Sequence, residues 1–315
     1  MLRHAAAHNR LAHGFLFLGP RGIGKRQFAR LLAQCLFCEQ MPDARLDACG
    51  VCSSCRQMQA GTHPDLLRIG LPEGKRQLPI SLLIGDEKAG RSSGLCYELA
   101  HAPMSASRRM AIIDDADAMT EEASNALLKT LEEPPAGSIL ILLSPDAETI
   151  LPTIRSRCQL VQFAPLTADQ LRNLIAAQGI NDSHLETVLP MAEGSLEMVR
   201  RLLDPGLQSL MNVVQKHLRP GRIDGLAARR ELQAALDSLG GGPPEQRESL
   251  GWLLRFTIDS LRARLAETDN LQVLDQTGEL LERCFLAEQH LRQTMPVPLC
   301  VEALFTELGR LSRSS

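Results

Sequence analysis

Short runs of apolar residues alternate with helical patterns through the first 165 residues of the chain. The runs that predict strands are FLFLG (15–19), PDLLRIG (64–70), MAIIDD (110–115), SILILLS (138–144) and LVQFAP (160–165). Strands that are apolar at nearly every position are typical of a parallel sheet covered on both faces. The pattern therefore predicts an α/β nucleotide-binding architecture with a parallel five-stranded sheet.

The pattern changes after Pro165, where apolar residues begin to recur at helical spacing. Pro205 and Gly206 stop a group of short helices, and LGGGPPEQ at 239–246 separates two longer helical segments. We predict three domains from these breaks. They are an α/β P-loop-like domain over 1–165, a small helical domain over 166–205 and a C-terminal helical domain over 206–315.

Composition narrows the classes of function. The formal net charge is -3 and the isoelectric point about 6.3, which argues against a protein whose main task is to grip DNA phosphates. Aromatic residues make up only 3%, too few for a surface that stacks single-stranded bases. Without a run of about 20 apolar residues or an apolar signal core, we expect no membrane contact and a cytoplasmic protein.

The stretch GPRGIGKRQ (19–27) follows the first predicted strand and resembles a phosphate-binding loop. Gly19, Gly24 and Lys25 fit the form G-x-x-x-x-G-K-[S/T], but Arg26 stands where a hydroxyl should hold Mg²⁺. We expect little or no ATP hydrolysis here, and ATP binding is doubtful because a guanidinium is not a Mg²⁺ ligand. The alternative is that the glycines form only a tight turn.

Acidic residues end the third predicted strand. Asp114 fits the Mg²⁺ position of a nucleotide site, and Asp115 stands where a glutamate would orient water. The alternative is that both acids cap the following helix.

Four cysteines form a compact pattern at 38–55. Cys38, Cys49, Cys52 and Cys55 have the two-residue spacers that suit tetrahedral zinc, and with all four bound the metal would be structural. Cys35 is a rival first ligand, although its apolar surroundings favour packing. Nine cysteines, an odd number, fit metal binding in a reducing compartment better than a disulfide framework.

Two further features are ambiguous when taken alone. Arg157, in TIRSRCQ (153–159), is either a solvated surface charge or an arginine finger that reaches a neighbour's phosphate. His63 and Asp65 have the residue types of a metal or catalytic dyad, but His-Pro-Asp more often forms a turn that enters a strand.

Together these segments resemble the delta-prime family of bacterial DNA polymerase III clamp-loader subunits, members of the AAA+ superfamily. The segments are FLFLGPRGIGK (15–25), the four cysteines, HPDL (63–66), IIDDAD (112–117), NALLKTLEEPP (125–135) and LPTIRSRCQ (151–159). This sequence departs from the family's usual pattern at 81–94, a segment to which the sequence assigns no function, and only 14 residues precede the first strand. Family members usually have a longer lead-in that helps to hold adenine, so either the start is truncated or the nucleotide site is incomplete, and in both cases we expect weaker nucleotide binding.

The resemblance implies a stator that hydrolyses little ATP and supplies Arg157 in trans to a neighbouring ATPase subunit. It implies a lid domain at 166–205, a collar at 206–315 and a sensor position at Ser144. The implied partners are gamma/tau ATPase subunits and a delta subunit in a hetero-pentamer, with the sliding clamp and primed DNA reached through the complex. The holoenzyme is a DNA-directed DNA polymerase, a nucleotidyltransferase, but this chain is expected to be non-catalytic alone.

Two alternatives remain open at this point. One is an active gamma/tau-like motor with another Mg²⁺ ligand in place of the missing hydroxyl. The other is a zinc-containing DNA-binding module outside replication.

Overall fold

The chain forms two compact units, Met1–Thr167 and Ala168–Ser315, in a computed structural model. The structure describes residues 2–8, 10–72, 75, 77–85, 93–180, 182–217, 225–239, 242–293 and 295–314. The predicted separation of a lid from a collar at 205/206 lies inside the second unit, so the three-domain organisation stays a prediction.

The first unit is built on a five-stranded sheet with the order β2-β3-β4-β1-β5. The strands are β1 (Gly14–Leu18), β2 (Leu66–Ile69), β3 (Arg109–Ile113), β4 (Ser138–Ser144) and β5 (Gln159–Gln162). Every neighbouring pair is parallel. The predicted parallel five-stranded sheet is confirmed, although Asp114 and Asp115 follow β3 and are not part of it.

The central strand β1 explains why the strand sequences are apolar throughout. Its alternate side chains enter two different cores: Leu16 and Leu18 pack on one face of the sheet, while Phe15 and Phe17 pack on the other. All four are buried. Since helices cover both faces, neither set of positions can be polar.

Helices and 3₁₀ turns connect the strands of this unit. The helices are α1 (Leu2–Ala7), α2 (Lys25–Phe37), α3 (Ser53–Ala60), α4 (Ser81–Ile84), α5 (Leu95–Leu99), α6 (Glu121–Glu132) and α7 (Pro152–Arg155). A 3₁₀ turn at Ala116–Ala118 lies between β3 and α6. Of the segment at 81–94 that departs from the family pattern, residues 86–92 lie outside the described residues.

Helix α6 is fixed at both ends by its sequence. The Thr120 hydroxyl caps the N-terminus by accepting a hydrogen bond from the Ala123 amide. Leu127 and Leu131 are buried in the core, and the helix ends at Glu132, just before Pro134. These contacts hold the last turn of α6 in a defined place beside α7, the helix that precedes Arg157.

The second unit is helical, as the spacing of its apolar residues predicts. Its helices are α8 (Ala168–Ala177), α9 (Leu185–Val188), α10 (Leu196–Leu202), α11 (Pro205–His217), α12 (Gly225–Ser238), α13 (Pro243–Glu267), α14 (Leu271–Arg292) and α15 (Val297–Ser314). Helix α13 packs on α14, and α12 packs on α15. Within the described ranges, no helix has both the length and the apolar character needed to cross a membrane.

Candidate functional site

The loop between β1 and α2 has the backbone geometry of a phosphate-binding turn. Gly19 has φ 144° and Gly24 has φ 102°, values that favour glycine. A Cβ at Gly19 would lie 2.4 Å from the carbonyl oxygen of Phe163, the residue after β5, so there is no space for a side chain. The close packing therefore fixes the conformation of the turn, and α2 begins directly after it.

Lys25 folds back onto this loop. Its Nζ donates hydrogen bonds to the carbonyl oxygens of Gly19, at 2.5 Å, and Pro20, at 2.8 Å. The side chain is buried, and burial together with nearby Arg21 lowers the pKa of Lys25 from its ordinary value. The ammonium that would meet a phosphate is thus bonded to the loop itself.

Arg26 forms an ion pair with the predicted metal ligand. Its Nε lies 2.8 Å from Asp114 Oδ2, and the Asp114 side chain is only 14% exposed. Burial raises the pKa of Asp114 above its ordinary value, and the charge of Arg26 opposes that shift. The carboxylate that would hold Mg²⁺ is therefore already paired with the Arg26 guanidinium.

The other acids beside the loop face a second arginine. Arg21 Nη2 lies 2.8 Å from Asp117 Oδ2, and Arg21 Nη1 lies 3.8 Å from Asp115 Oδ1. Asp115 precedes the 3₁₀ turn with φ 51° but makes no capping hydrogen bond through its side chain, and Thr120 caps α6. The alternative reading of Asp114 and Asp115 as helix caps is thus not supported by their contacts.

The hydroxyl at the predicted sensor position is engaged within its own loop. Ser144 Oγ donates to the Asp146 carbonyl oxygen at 2.7 Å and lies 3.2 Å from Thr149 Oγ1. Ser144 is fully buried. This hydroxyl, like Lys25, is held by local hydrogen bonds.

The four predicted cysteine ligands come together around one point. Cys38 ends α2, Cys52 caps α3 and Cys55 lies in its first turn, and the ligand atoms of these three and Cys49 all lie within 4.8 Å of one another. Tetrahedral zinc with bonds of 2.3 Å requires sulfur–sulfur separations of about 3.8 Å. Since Cys49 Sγ and Cys55 Sγ are 4.0 Å apart, the donor set fits a metal ion.

Backbone amides favour the thiolate form of Cys38, whereas burial raises the pKa of Cys55 to about 12. Burial opposes ionisation of Cys38, but hydrogen bonds from the backbone of Cys49, Gln40 and Met41 outweigh it and lower the pKa of the thiol to about 6. The cluster does not include Cys35, and burial raises the pKa of the Cys35 thiol. Cys38 is therefore the better first ligand.

Arg157 lies away from the phosphate loop. It follows α7, and its carbonyl oxygen would lie 3.3 Å from a Cβ at Gly14, the first residue of β1. The loop begins at the other end of β1, about 16 Å away at 3.3 Å per residue. The structure thus brings Gly19, Gly24, Lys25 and Asp114 together. Arg157 lies at the opposite end of the strands.

The Arg157 guanidinium is held by three neighbours. Nη2 lies 2.8 Å from Glu132 Oε1, while Nη1 donates to the Thr153 carbonyl oxygen at 2.9 Å and to Ser156 Oγ at 3.3 Å. The side chain is 37% exposed. Glu132 lies 25 residues before Arg157, and nothing in the sequence linked the two side chains.

His63 and Asp65 are packing residues. His63 is buried, stacks on Phe37 with ring centroids 4.4 Å apart, and lies 2.7 Å through Nε2 from Ser54 Oγ. Its Nδ1 accepts a hydrogen bond from the Asp65 amide at 3.2 Å. These contacts fit the turn that enters β2 and connect it with α3 of the cysteine module.

The chain is similar to subunits of bacterial DNA polymerase III. A family model described as "DNA polymerase III, delta subunit" matches residues 1–167. A DNA polymerase III subunit delta' of Pseudomonas aeruginosa is 33% identical over 200 residues, which are 62% of this chain and 57% of that protein. The delta' subunit of Bacillus subtilis is 30% identical over 199 residues, 63% of this chain and 56% of that protein.

The chain is also similar to tau subunits of DNA polymerase III. A DNA polymerase III subunit tau of Salmonella typhimurium is 30% identical over 238 residues, which are 76% of this chain and 34% of that protein. The chain therefore spans less than two thirds of the length of each of these relatives.

A solved structure supports the fold. A gamma subunit-related protein from Thermotoga maritima aligns with a TM-score of 0.51 at 17% identity, over 99% of this chain and all of that one. The family match covers more than half of the chain and agrees with the predicted resemblance to delta-prime. The roles of the individual site residues stay predictions, but the chain belongs to the DNA polymerase III, delta subunit family.

Proposed function

We propose that this chain is the stator subunit of a DNA polymerase III clamp loader, one that hydrolyses little or no ATP itself. The observation that carries the proposal is the ion pair between Arg26 and Asp114, at 2.8 Å. A guanidinium that replaces the Mg²⁺-binding hydroxyl, and also pairs with the Mg²⁺-binding carboxylate, removes both protein ligands that a P-loop site offers the metal. Without the metal, the charge that develops on the phosphates is not neutralised.

The proposed role in trans rests on the position of Arg157. Because it lies at the end of β1 opposite the phosphate loop, it cannot serve the nucleotide site of its own chain. Its partly exposed guanidinium can pair bidentately with a phosphate on an adjoining protein. We therefore assign it as an arginine finger for a neighbouring ATPase subunit.

The proposed partners follow from this role. They are gamma/tau ATPase subunits, one of which receives Arg157, and a delta subunit in a hetero-pentamer. Residues 166–205 would form the lid and residues 206–315 the collar that joins the ring, while the sliding clamp and primed DNA are reached through the complex. As a replication subunit the chain would act in the cytoplasm.

The second candidate function is an ATPase motor. The similarity to tau subunits, which extends over 76% of this chain in one case, favours it. The retained Lys25 and Asp114 are also residues that a motor needs. Measuring ATP turnover by the purified chain, alone and mixed with its ATPase partners, separates the two. We expect the lone chain to be silent; turnover that is lost on Lys25→Ala would identify a motor.

Arg26→Thr should restore part of the nucleotide site. The change releases Asp114 and supplies a hydroxyl at the metal position. A hydrogen bond to a charged group is worth about 1.5–3 kcal/mol, so we expect Mg²⁺-dependent ATP binding to tighten about tenfold or more. Isothermal titration calorimetry with and without Mg²⁺ measures the effect. Arg26→Ala, which breaks the ion pair without adding the hydroxyl, is the matched control and should gain less; equal gains would contradict the metal argument.

We also propose that Cys38, Cys49, Cys52 and Cys55 hold a structural zinc ion. A bound ion would fix the end of α2 against the start of α3, since Cys38 directly follows α2 and Cys55 lies in the first turn of α3. With all four positions filled by thiolates, the zinc would have no site for substrate and no part in catalysis.

The zinc proposal predicts about one zinc per purified chain by elemental analysis. Cys55→Ser should leave nearly none and lower the melting temperature, because the module would lose its cross-link. Cys35→Ser is the matched control: Cys35 lies one turn before Cys38 but outside the cluster, so zinc should be retained. Equal zinc loss in both variants, or none in either, would be evidence against this ligand set.

A further inference from the structure

The last residue of α6 contacts the proposed finger. Glu132 Oε1 lies 2.8 Å from Arg157 Nη2. The buried Leu131 anchors the final turn, and Pro134 and Pro135 follow after one intervening residue. The carboxylate therefore projects from a fixed point, and its position relative to Arg157 is set by the packing of α6.

The contact leaves the guanidinium fixed but accessible. Nη1 bonds to Thr153 and Ser156 close by in the chain, while Nη2 is held by Glu132 from a different helix. The C-terminal end of a helix also favours a nearby cation through its dipole. Even so, 37% of the Arg157 side chain remains exposed for a ligand.

We infer that Glu132 is a positioning residue for Arg157; this inference rests on the proposed finger role. An arginine side chain carries about 2 kcal/mol of rotamer entropy, which must be lost when it engages a phosphate. Holding it beforehand lowers that cost and aims its free edge. Misplacement of a reacting group by about 1 Å can reduce a rate about 100-fold. Without Glu132, Arg157 would keep its two local contacts, so we expect a smaller loss, about tenfold, in the rate of ATP hydrolysis at the partner site.

The pair is a weak candidate for a purely stabilising role. Both side chains are well exposed, at 37% for Arg157 and 51% for Glu132. An ion pair in such surroundings typically contributes less than about 1 kcal/mol to stability. Loss of Glu132 should therefore change the rate at the partner site and leave folding intact.

The chain offers a matched control in the next residue. Glu133 is also an exposed carboxylate, but it makes no ion pair among the described residues. Glu132→Ala and Glu133→Ala remove the same charge from the same helix end. Only the first removes a contact to Arg157.

The test compares ATP hydrolysis by the reconstituted complex for four forms: Glu132→Ala, Glu133→Ala, Arg157→Ala and the double variant of Glu132 and Arg157. We expect Glu132→Ala to lower kcat about tenfold with an unchanged KM for ATP, and Glu133→Ala to match the unmodified chain. In the Arg157→Ala background, Glu132→Ala should have no further effect, because the residue through which it acts is gone. Gel filtration checks that each complex assembles.

The outcomes separate this inference from the function on which it rests. If Arg157→Ala has no effect, the finger role fails and the inference fails with it. If Arg157→Ala slows hydrolysis but Glu132→Ala does not, only the positioning role is overturned. The same holds if Glu132→Ala slows hydrolysis equally with and without Arg157.

Discussion

Replacing Arg157 with alanine is expected to slow ATP hydrolysis about 10³-fold at the one partner site that receives it, which corresponds to about 4 kcal/mol of transition-state stabilisation. The physical reason is that a guanidinium neutralises charge as it develops on the phosphate oxygens, in a place where water cannot do so equally well. The loss should appear in kcat, since the contact strengthens in the transition state.

This effect is best measured in a mixture in which only the adjoining ATPase site keeps its P-loop lysine, so that other sites do not mask it. Arg155→Ala is the matched control. Arg155 lies two positions away, at the end of α7, and donates to the Ala147 carbonyl oxygen at 3.5 Å. We expect that variant to keep most of the activity. A complex that assembles and hydrolyses ATP at the normal rate without Arg157 would refute the finger.

The second large effect is expected at Asp65. This fully buried carboxylate accepts hydrogen bonds from the amides of Met104 at 2.7 Å and of Ser105 and Ala106 at 2.8 Å each, and it pairs with Arg109 Nε at 3.4 Å. Asp65→Asn keeps the shape but turns an NH₂ group toward these donors. We expect the free energy of unfolding to fall by about 3–5 kcal/mol, the range for breaking a buried pair.

Urea unfolding followed by circular dichroism measures this loss. Asp43→Asn is the matched control, because Asp43 forms an ion pair with Arg108 in which both side chains are partly exposed. That variant should lose less than about 1 kcal/mol. If Asp65→Asn is no less stable than Asp43→Asn, the hydrogen bonds at Asp65 do not have the value assigned to them.

The same residue predicts a pH dependence with a definite sign. Burial opposes ionisation of Asp65, but the amide hydrogen bonds from Met104, Ala106 and Ser105 outweigh it and hold the pKa below its ordinary value. Its stabilising contribution is complete above the unfolded pKa of about 3.9 and is lost as the pH falls through the lower, folded pKa. Asp65→Asn should therefore remove part of the acid sensitivity of the unmodified chain below about pH 4.

The sequence alone was informative where the signal is local. The apolar runs located all five strands, because each strand of a sheet covered on both faces must bury both sets of side chains. The cysteine spacing likewise predicted four thiols close enough together to bind one metal ion.

Strand ends were less well predicted. The acids of IIDD were assigned to the third strand but follow it, since β3 ends at Ile113. Where pairing stops depends on the neighbouring strand: the last residue of β2 that pairs with β3 is Ile69, opposite Ile113. The sequence of β3 does not contain that limit.

What the sequence by itself determined is the fold class, the family and the loss of the metal-binding hydroxyl at Arg26, because each is recorded in residues that are neighbours along the chain. Only the tertiary structure decided that Arg26 pairs with Asp114, that Asp65 holds the segment at 104–106, and that Glu132 contacts Arg157. These partners belong to segments far apart in sequence. Their choice depends on the order of the parallel strands and on the packing of α6, which bring such segments together.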